Sequence, residues 1–520
     1  MSGMAARLAG LSPERRTLLE LLVLEEALEP RDQKDVPAAP SPENAPLSFG
    51  QERLWLLDRL DPGSAAYNTA AALRLTGELD VPVLARTFAE IERRHSVLRT
   101  TFREGGGGRP VQVVGPPRPA ELAIVDLSHV CSQEPALREA IDVEVSQPFD
   151  LSRGPLHRLR LFRLGAREHV LVATLHHIVS DAWSMAVLGR ELTAIHAAFA
   201  AGLPSPLPEL PLQYADYSRG QRERLQGAVL EEQLVWWRER LAGAPEVVEM
   251  PPDRPRPAAR RFRGGLRTRR LPLDLSEKVA RLCRERSVTP FMALLAAFEV
   301  LLHHRSGQTD LVVGVDIANR NPPETEALLG FFVNQLVFRV DAGGDPAWVD
   351  LLERVRETAA GAFAHQDVPF ERLVEELRPQ RSLARNPLFQ VMFGLYNVPE
   401  AAAALGGLEI APFEIEGDAA VFDLSLYLSE TPDGLQAMLR YDVDLYKEAT
   451  MDRLLDDFEA VVRRVVEAPD ERLSALGEHL AGERRRRLEA GREDLQKARL
   501  RTLKTARRRT LGPLENGDER

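Results

Sequence analysis

Cysteine is nearly absent: the 520 residues contain two, Cys131 and Cys283. They lie far apart and fit no metal-ligand spacing, so neither a disulfide scaffold nor a thiolate metal site organises the chain. Such cysteine poverty suits a reducing compartment. No apolar run approaches the ~20 residues needed to cross a bilayer. An apolar signal core is missing too, since residues 1–30 are amphipathic and charged. Excess positive charge is also lacking: the net charge is −11, which disfavours nucleic acid as a partner of the whole protein. What remains is a chain with 44% hydrophobic residues, the content of a globular protein. Its length suggests two lobes plus tails. The expectation is a soluble, cytoplasmic protein.

Chemistry is concentrated in His176-His177-Ile178-Val179-Ser180-Asp181-Ala182-Trp183. The apolar run Val170–Leu175 feeds into it, and Leu188, Leu192, Ile195 and Phe199 leave it at helical spacing. The histidines therefore sit at a strand end and Asp181 just before a helix. Imidazole titrates near neutrality and suits proton transfer. Asp181 is equally well placed to cap the helix. A metal site on His177 and Asp181 lacks further ligands, so no metal is expected. His303-His304 is a second tandem pair, but it ends an amphipathic helix, where basic groups are favoured.

The octet resembles the HHxxxDG signature of condensation domains from nonribosomal peptide synthetases, members of the chloramphenicol-acetyltransferase-like acyltransferases. Six further segments resemble the family's other motifs, in order: Leu47–Trp55, Arg94–Phe102, Tyr214–Tyr217, Gly330–Asn334, His365–Glu371 and Arg385–Gln390. Together they span roughly residues 47–470. Ala182 stands where the family usually has Gly.

The resemblance implies an α/β fold of two chloramphenicol-acetyltransferase-like lobes in a V-shaped pseudo-dimer, with the active-site tunnel between them. The chain divides accordingly. Residues 1–45 form an N-terminal helix, with its apolar stripe over 11–28, and a Pro-rich linker. Residues 46–215 form the N-terminal lobe, 216–475 the C-terminal lobe and 476–520 a basic helical tail. Leu84, Phe88, Ile91, His95, Leu98 and Phe102 mark one buried helix face, so His95 reads as a core histidine. Residues 156–164 and 169–175 read as a hairpin whose second strand delivers the histidine pair. Residues 251–270, dense in Pro and Arg, read as an exposed crossover. Residues 290–304 read as a buried helix and 311–317 as a buried strand. Residues 421–429 and 435–442 pair through Pro432-Asp433-Gly434.

The resemblance also implies a reaction. A carrier-bound acceptor amine attacks a carrier-bound donor thioester, in nonribosomal peptide or hybrid polyketide–peptide biosynthesis. No nucleophilic Ser or Cys is needed, and no G-x-S-x-G elbow occurs. His177 is then the catalytic histidine, and His176 and Asp181 are supports. Arg320 is the candidate ion-pair partner of Asp181. Trp183, Asn334 and Asn386 are candidates for the tunnel or its floor. No tightly bound cofactor is expected, because substrates arrive on phosphopantetheine arms. Donor and acceptor carriers are expected in trans. Residues 11–28 are a possible dock for an upstream synthase partner, and 483–509, with twelve Lys/Arg against four acidic residues, for a downstream one. Two alternatives stand beside this: ester formation or chain release onto a hydroxyl or free amine, and a non-catalytic domain recruiting a tailoring enzyme to a carrier.

Overall fold

The computed structural model describes residues 44–487 except 119–121, 249, 380–381, 383, 397–403, 406 and 416–419, together with Glu489. The helix expected over 11–28 and most of the basic tail lie outside the described residues.

The first half begins with β1 (Ala45–Pro46) and α1 (Phe49–Leu60). Ser48 starts α1 through a capping box: its hydroxyl accepts the Gln51 N–H, and the Gln51 side chain accepts the Ser48 N–H. There follow β2 (Asn68–Thr76), α2 (Val81–Arg94), β3 (Thr100–Glu104), β4 (Pro110–Val114), β5 (Leu122–Asp126) and α3 (Gln133–Val145). Then come β6 (His157–Arg163), β7 (Glu168–His176) and α4 (Ala182–Ala200). The expected hairpin forms, with β6 and β7 paired antiparallel from Arg163↔His169 to His157↔Leu175. β7 lies between β2 and β6 and is buried from His169 through His176, so it reads as an unbroken apolar run rather than an alternation. Helix α2 is shorter than its apolar spacing suggests. It ends at Arg94, His95 caps it, and Leu98 and Phe102 lie on a 3₁₀ turn and on β3. All three elements bury the same side, so the period continues although the helix does not.

The second half comprises α5 (Tyr214–Arg224), α6 (Gly227–Leu241), β8 (Gly264–Pro272), α7 (Leu273–Arg286), α8 (Pro290–Ser306), β9 (Asp310–Ile317) and β10 (Asn334–Asp341). It continues with α9 (Trp348–Ala364), α10 (Phe370–Leu377), β11 (Val391–Tyr396), β12 (Ala404–Leu405), β13 (Leu408–Phe413), β14 (Leu424–Thr431), β15 (Gly434–Asp442) and α11 (Glu448–Glu467). Its sheet runs β10-β9-β11-β14-β15-β8. Helix α8 packs on one face, where Phe291 meets Phe338 and Phe393 at 5.8 and 5.7 Å. His303 and His304 lie in its last turn, the place expected of that pair, and His303 Nδ1 lies 2.7 Å from the Gln308 carbonyl. No single described helix is long and apolar enough to cross a membrane.

Three sequence expectations are corrected. Residues 264–270 belong to edge strand β8, where Arg267 pairs with Asp452 and Arg269 with Asp456 on α11. Division at 215/216 is also incomplete. β13 crosses back to pair with β2, from Glu409↔Thr76 to Phe413↔Ala72, and completes the first sheet as β12-β13-β2-β7-β6-β5. Finally, the tail does not begin at 476. Residues 473–487 are helical, Leu473, Leu476 and Leu480 are buried in the second core, and Arg484 and Arg487 pair with Asp457.

Candidate active site

β7 ends at His176, and the chain turns at once into a 3₁₀ turn, His177–Val179. His176 is 3% exposed, and its Nδ1 accepts the Ile178 N–H at 3.1 Å. Burial drives its pKa down to about 3. This ring is a neutral acceptor that shapes the turn.

That depression has a consequence for acid stability. Folded His176 resists protonation, whereas in the unfolded chain it titrates at about 6.5. Below that value the unfolded state gains the proton first, so stability falls as pH drops and is flat above. Between pH 7 and pH 4 this single group should cost about 3 kcal/mol. Asn at position 176 keeps an acceptor for the Ile178 N–H without titrating. Chemical unfolding should therefore show the stability difference between wild type and His176→Asn moving by about that amount in favour of the variant as pH falls from 7 to 4. A pH-independent difference would contradict a buried neutral ring.

His177 points differently. Its N–H donates to the Tyr67 carbonyl at 2.7 Å, and its Nδ1 lies 2.5 Å from the Ser180 carbonyl. A carbonyl only accepts, so the proton resides on Nδ1 and Nε2 keeps a free lone pair. The ring is half-buried and stands edge-on to Phe331, with centroids 4.8 Å apart. Burial lowers its pKa, opposed by the Ser180 carbonyl and Asp181 and assisted by Arg53. A neutral imidazole with unprotonated Nε2 is equipped to accept a proton at pH 7.

Asp181 caps α4. Its Oδ1 accepts the Ser184 N–H at 2.7 Å, and its Oδ2 accepts the Phe332 N–H at 3.0 Å. Arg320 donates to Oδ1 at 3.0 Å in a pair that is fully enclosed, the two side chains being 0% and 2% exposed. The other Arg320 nitrogen donates to the Thr325 and Leu328 carbonyls at 2.6 and 2.7 Å. The pair thus fastens the 318–333 loop of the second half to α4, and the loop sets Phe331 against His177. Ala182 opens α4 with no positive φ, so its methyl is unstrained. Histidine, aspartate and carboxylate clusters with metal-binding geometry do not occur among the described residues.

Residues scattered along the sequence converge on this turn. Gln51 of α1 donates to the Ile178 carbonyl at 3.2 Å. The Tyr214 hydroxyl donates to the Phe331 carbonyl at 2.5 Å and lies 2.9 Å from the Ser48 hydroxyl. His95 lies 3.0 Å from Glu191 and accepts the Leu329 N–H at 3.3 Å. Tyr214 also limits Gly330, whose φ is +156° and where a Cβ would lie 2.0 Å from the Tyr214 ring. Gly330→Ala should destabilise the fold by about 1–3 kcal/mol through overpacking, read as a lowered melting temperature, and displace Phe331 from His177.

The tunnel candidates separate. A cavity of about 900 Å³ lies between the halves, lined by Arg53 and Tyr67 from the first and by Phe262, Phe370 and Asn386 from the second. Asn386 thus reaches it, while its amide donates to the Val421 carbonyl at 2.7 Å. Asn334 does not line it. It clamps the 366–370 loop, donating to Gln366 and Val368 carbonyls and accepting the Phe370 N–H. Trp183 does not line it either, and its indole N–H donates to the Glu326 carbonyl at 2.9 Å. His177 itself is not among the lining residues; Tyr67, whose carbonyl accepts its backbone N–H, is. Position alone marks Tyr67, and no motif signals it.

An α/β molecule of two six-stranded sheets and a small three-stranded one, β1-β4-β3, with a histidine turn at the junction of its halves has the chloramphenicol-acetyltransferase-like fold. The condensation-domain family profile matches residues 42–486, and the chain belongs to that family. A linear gramicidin synthase protein of Brevibacillus parabrevis is 42% identical over 480 residues, which are 92% of this chain and 6% of that protein. Phosphinothricin tripeptide synthetase PhsC of Streptomyces viridochromogenes is 39% identical over 481 residues, 92% of this chain and 44% of that protein. The chain therefore spans less than half the length of either relative. Among solved structures, the X-domain from teicoplanin biosynthesis superposes with a TM-score of 0.77 at 31% identity, covering 85% of this chain and 99% of that one. The first condensation domain of the CDA synthetase shares the fold, with a TM-score of 0.71 at 23% identity over 84% and 98% of the two chains.

Proposed function

We propose that this chain forms an amide bond between two carrier-bound substrates. The donor is an acyl or peptidyl thioester, and the acceptor is an aminoacyl thioester with a free amine. The observation that carries the reading is the 2.5 Å contact of His177 Nδ1 with the Ser180 carbonyl, which calls for a proton on Nδ1 and leaves Nε2 as the acceptor. The amine nitrogen bonds to the donor carbonyl carbon, Nε2 takes the amine proton, the carbon–sulfur bond breaks, and the proton passes from Nε2 to the departing thiolate, which leaves as the thiol. Much of the acceleration comes from holding both thioesters in register, an effect that supplies about 7–11 kcal/mol in well-oriented systems.

A second reading has one observation in its favour. The X-domain from teicoplanin biosynthesis resembles this chain and has also been solved in complex with OxyB, at a TM-score of 0.78 and 31% identity. On that reading the chain recruits a tailoring enzyme to a carrier. Retention of both His177 and the Asp181–Arg320 pair favours catalysis. Incubation with loaded donor and acceptor carriers decides between them. Catalysis moves the donor acyl mass onto the acceptor carrier, seen by intact mass, and cleavage of the released product by hydroxylamine distinguishes ester from amide. Unchanged carrier masses together with capture of a tailoring enzyme would favour recruitment.

A further inference from the structure

A row of side chains crosses the second sheet on the face opposite Phe338 and Phe393. Gln335 on β10 is the direct cross-strand partner of Asp316 on β9, and Gly394 on β11 is paired with Tyr427 on β14. Cross-strand partners share a face. With no side chain at Gly394, the Tyr427 ring lies over β11, where a Cβ would come within 2.8 Å of it. The Tyr427 hydroxyl thereby reaches Asp316 Oδ2 at 3.1 Å, while the Gln335 amide N–H donates to Asp316 Oδ1 at 3.2 Å. Asp316, Gln335 and Tyr427 are all half-buried.

The cluster is short of donors. Gln335 Oε1 is buried and finds no hydrogen-bond partner among the described residues. Turning the amide over would aim that oxygen at a carboxylate, so the orphan is not an orientation artefact. Each Asp316 oxygen has one side-chain partner among the described residues, fewer than its lone pairs can take. A buried acceptor left without a donor is costly, and a ligand bearing several N–H groups would relieve it. The cluster also sits near the histidine turn. Asp316 is four residues before Arg320, and the Arg53 guanidinium that lines the interlobe cavity is close enough to depress both His177 and Asp316. Burial nevertheless raises the Asp316 carboxyl to about 6, which leaves it mostly ionised at pH 7.

From this geometry we infer that Asp316, Gln335 and Tyr427 form a recognition site for a primary ammonium group on a tethered substrate. The inference rests on the condensation reading for the identity of the tether, not for the chemistry of the site. Two sources can supply the group: the acceptor's own α-amine before it reacts, or a basic side chain on either substrate. Carriers loaded with lysine and with norleucine, each offered as acceptor and as donor to the full chain and to Asp316→Asn, distinguish them. A side-chain source gives the wild type a lysine preference of roughly tenfold or more in kcat/KM on one side, and the variant loses it while norleucine turnover holds. An α-amine source makes Asp316→Asn slow lysine and norleucine acceptors by the same factor, roughly tenfold or more. Measurable turnover that is equal for wild type and variant on every pair overturns the site. Calorimetric titration with lysyl-pantetheine amide needs no turnover, and weaker binding by Asp316→Asn than by wild type supports the site. If that difference holds while no carrier pair is condensed, the site stands and the condensation reading falls. Should Asp316→Asn misfold, Gln335→Met removes the orphan acceptor and is expected to weaken the same titration severalfold, with unchanged binding overturning the site.

Discussion

Replacing His177 by Ala should lower the rate of donor transfer between loaded carriers by about a hundred- to ten-thousand-fold, the usual worth of a positioned general base. The fold should survive, because the ring's one hydrogen bond joins it to Ser180, three residues on. Circular dichroism and melting temperature should stay close to wild type. Residual transfer above the uncatalysed rate is expected too, because on the proposed reading the two thioesters would still be held in register. The pH profile adds a second readout. Burial lowers the His177 pKa from its ordinary value of about 6.5, so the base stays neutral as pH drops through that value. The wild-type rate should therefore not fall away at 6.5, as it would with a solvent-exposed imidazole. Undiminished transfer by the Ala variant would remove His177 from the chemistry.

Arg320→Met should be among the most destabilising single changes in the chain. It leaves Asp181, which is 0% exposed, as a buried carboxylate without its cation. Breaking one side of such a pair costs about 3–5 kcal/mol. The loss is not confined to the pair, because the same guanidinium holds the Thr325 and Leu328 carbonyls. Once the 318–333 loop is released, Phe331 no longer backs His177, so transfer should drop in whatever fraction remains folded. Asp181→Asn alone keeps an acceptor for one of the Ser184 and Phe332 N–H groups, loses the other, and strands the guanidinium. A double-mutant cycle on unfolding free energies should thus show coupling well above the few tenths of a kcal/mol seen for independent sites. Additive effects would mean that the pair is incidental to the loop.

The histidine turn is legible in the sequence because its physics is local. An apolar run long enough for a central strand, two imidazoles, and an Asp before a helical period specify β7, the turn and the cap on α4 without help from the rest of the chain. The Asp181–Arg320 contact bridges 139 residues, and only the family resemblance called for an Arg there. Side-chain direction was not legible. Asn334 and Trp183 are polar-tipped residues near the site, but their partners are backbone carbonyls that no sequence pattern marks. The return of β13 to the first sheet was hidden for a related reason: edge pairing with β2 is made through backbone groups, which every residue carries. β8 was obscured by its own arginines, which are charged on the side facing the acidic residues of α11 and so mimic a solvated loop. Motif matching did capture Ser48, Gln51, Tyr214 and Phe331. Their shared task of bracing one turn emerges only when the two halves meet.

The central claim is that His177 offers an unprotonated Nε2 while its Nδ1 proton is held by the Ser180 carbonyl. Nitrogen-15 NMR of ring-labelled histidine at pH 7, with the His177 signals assigned by their loss in the Ala variant, reads this tautomer directly. A protonated Nδ1 paired with a bare Nε2 is the predicted spectrum. An imidazolium, or a proton on Nε2, would contradict it.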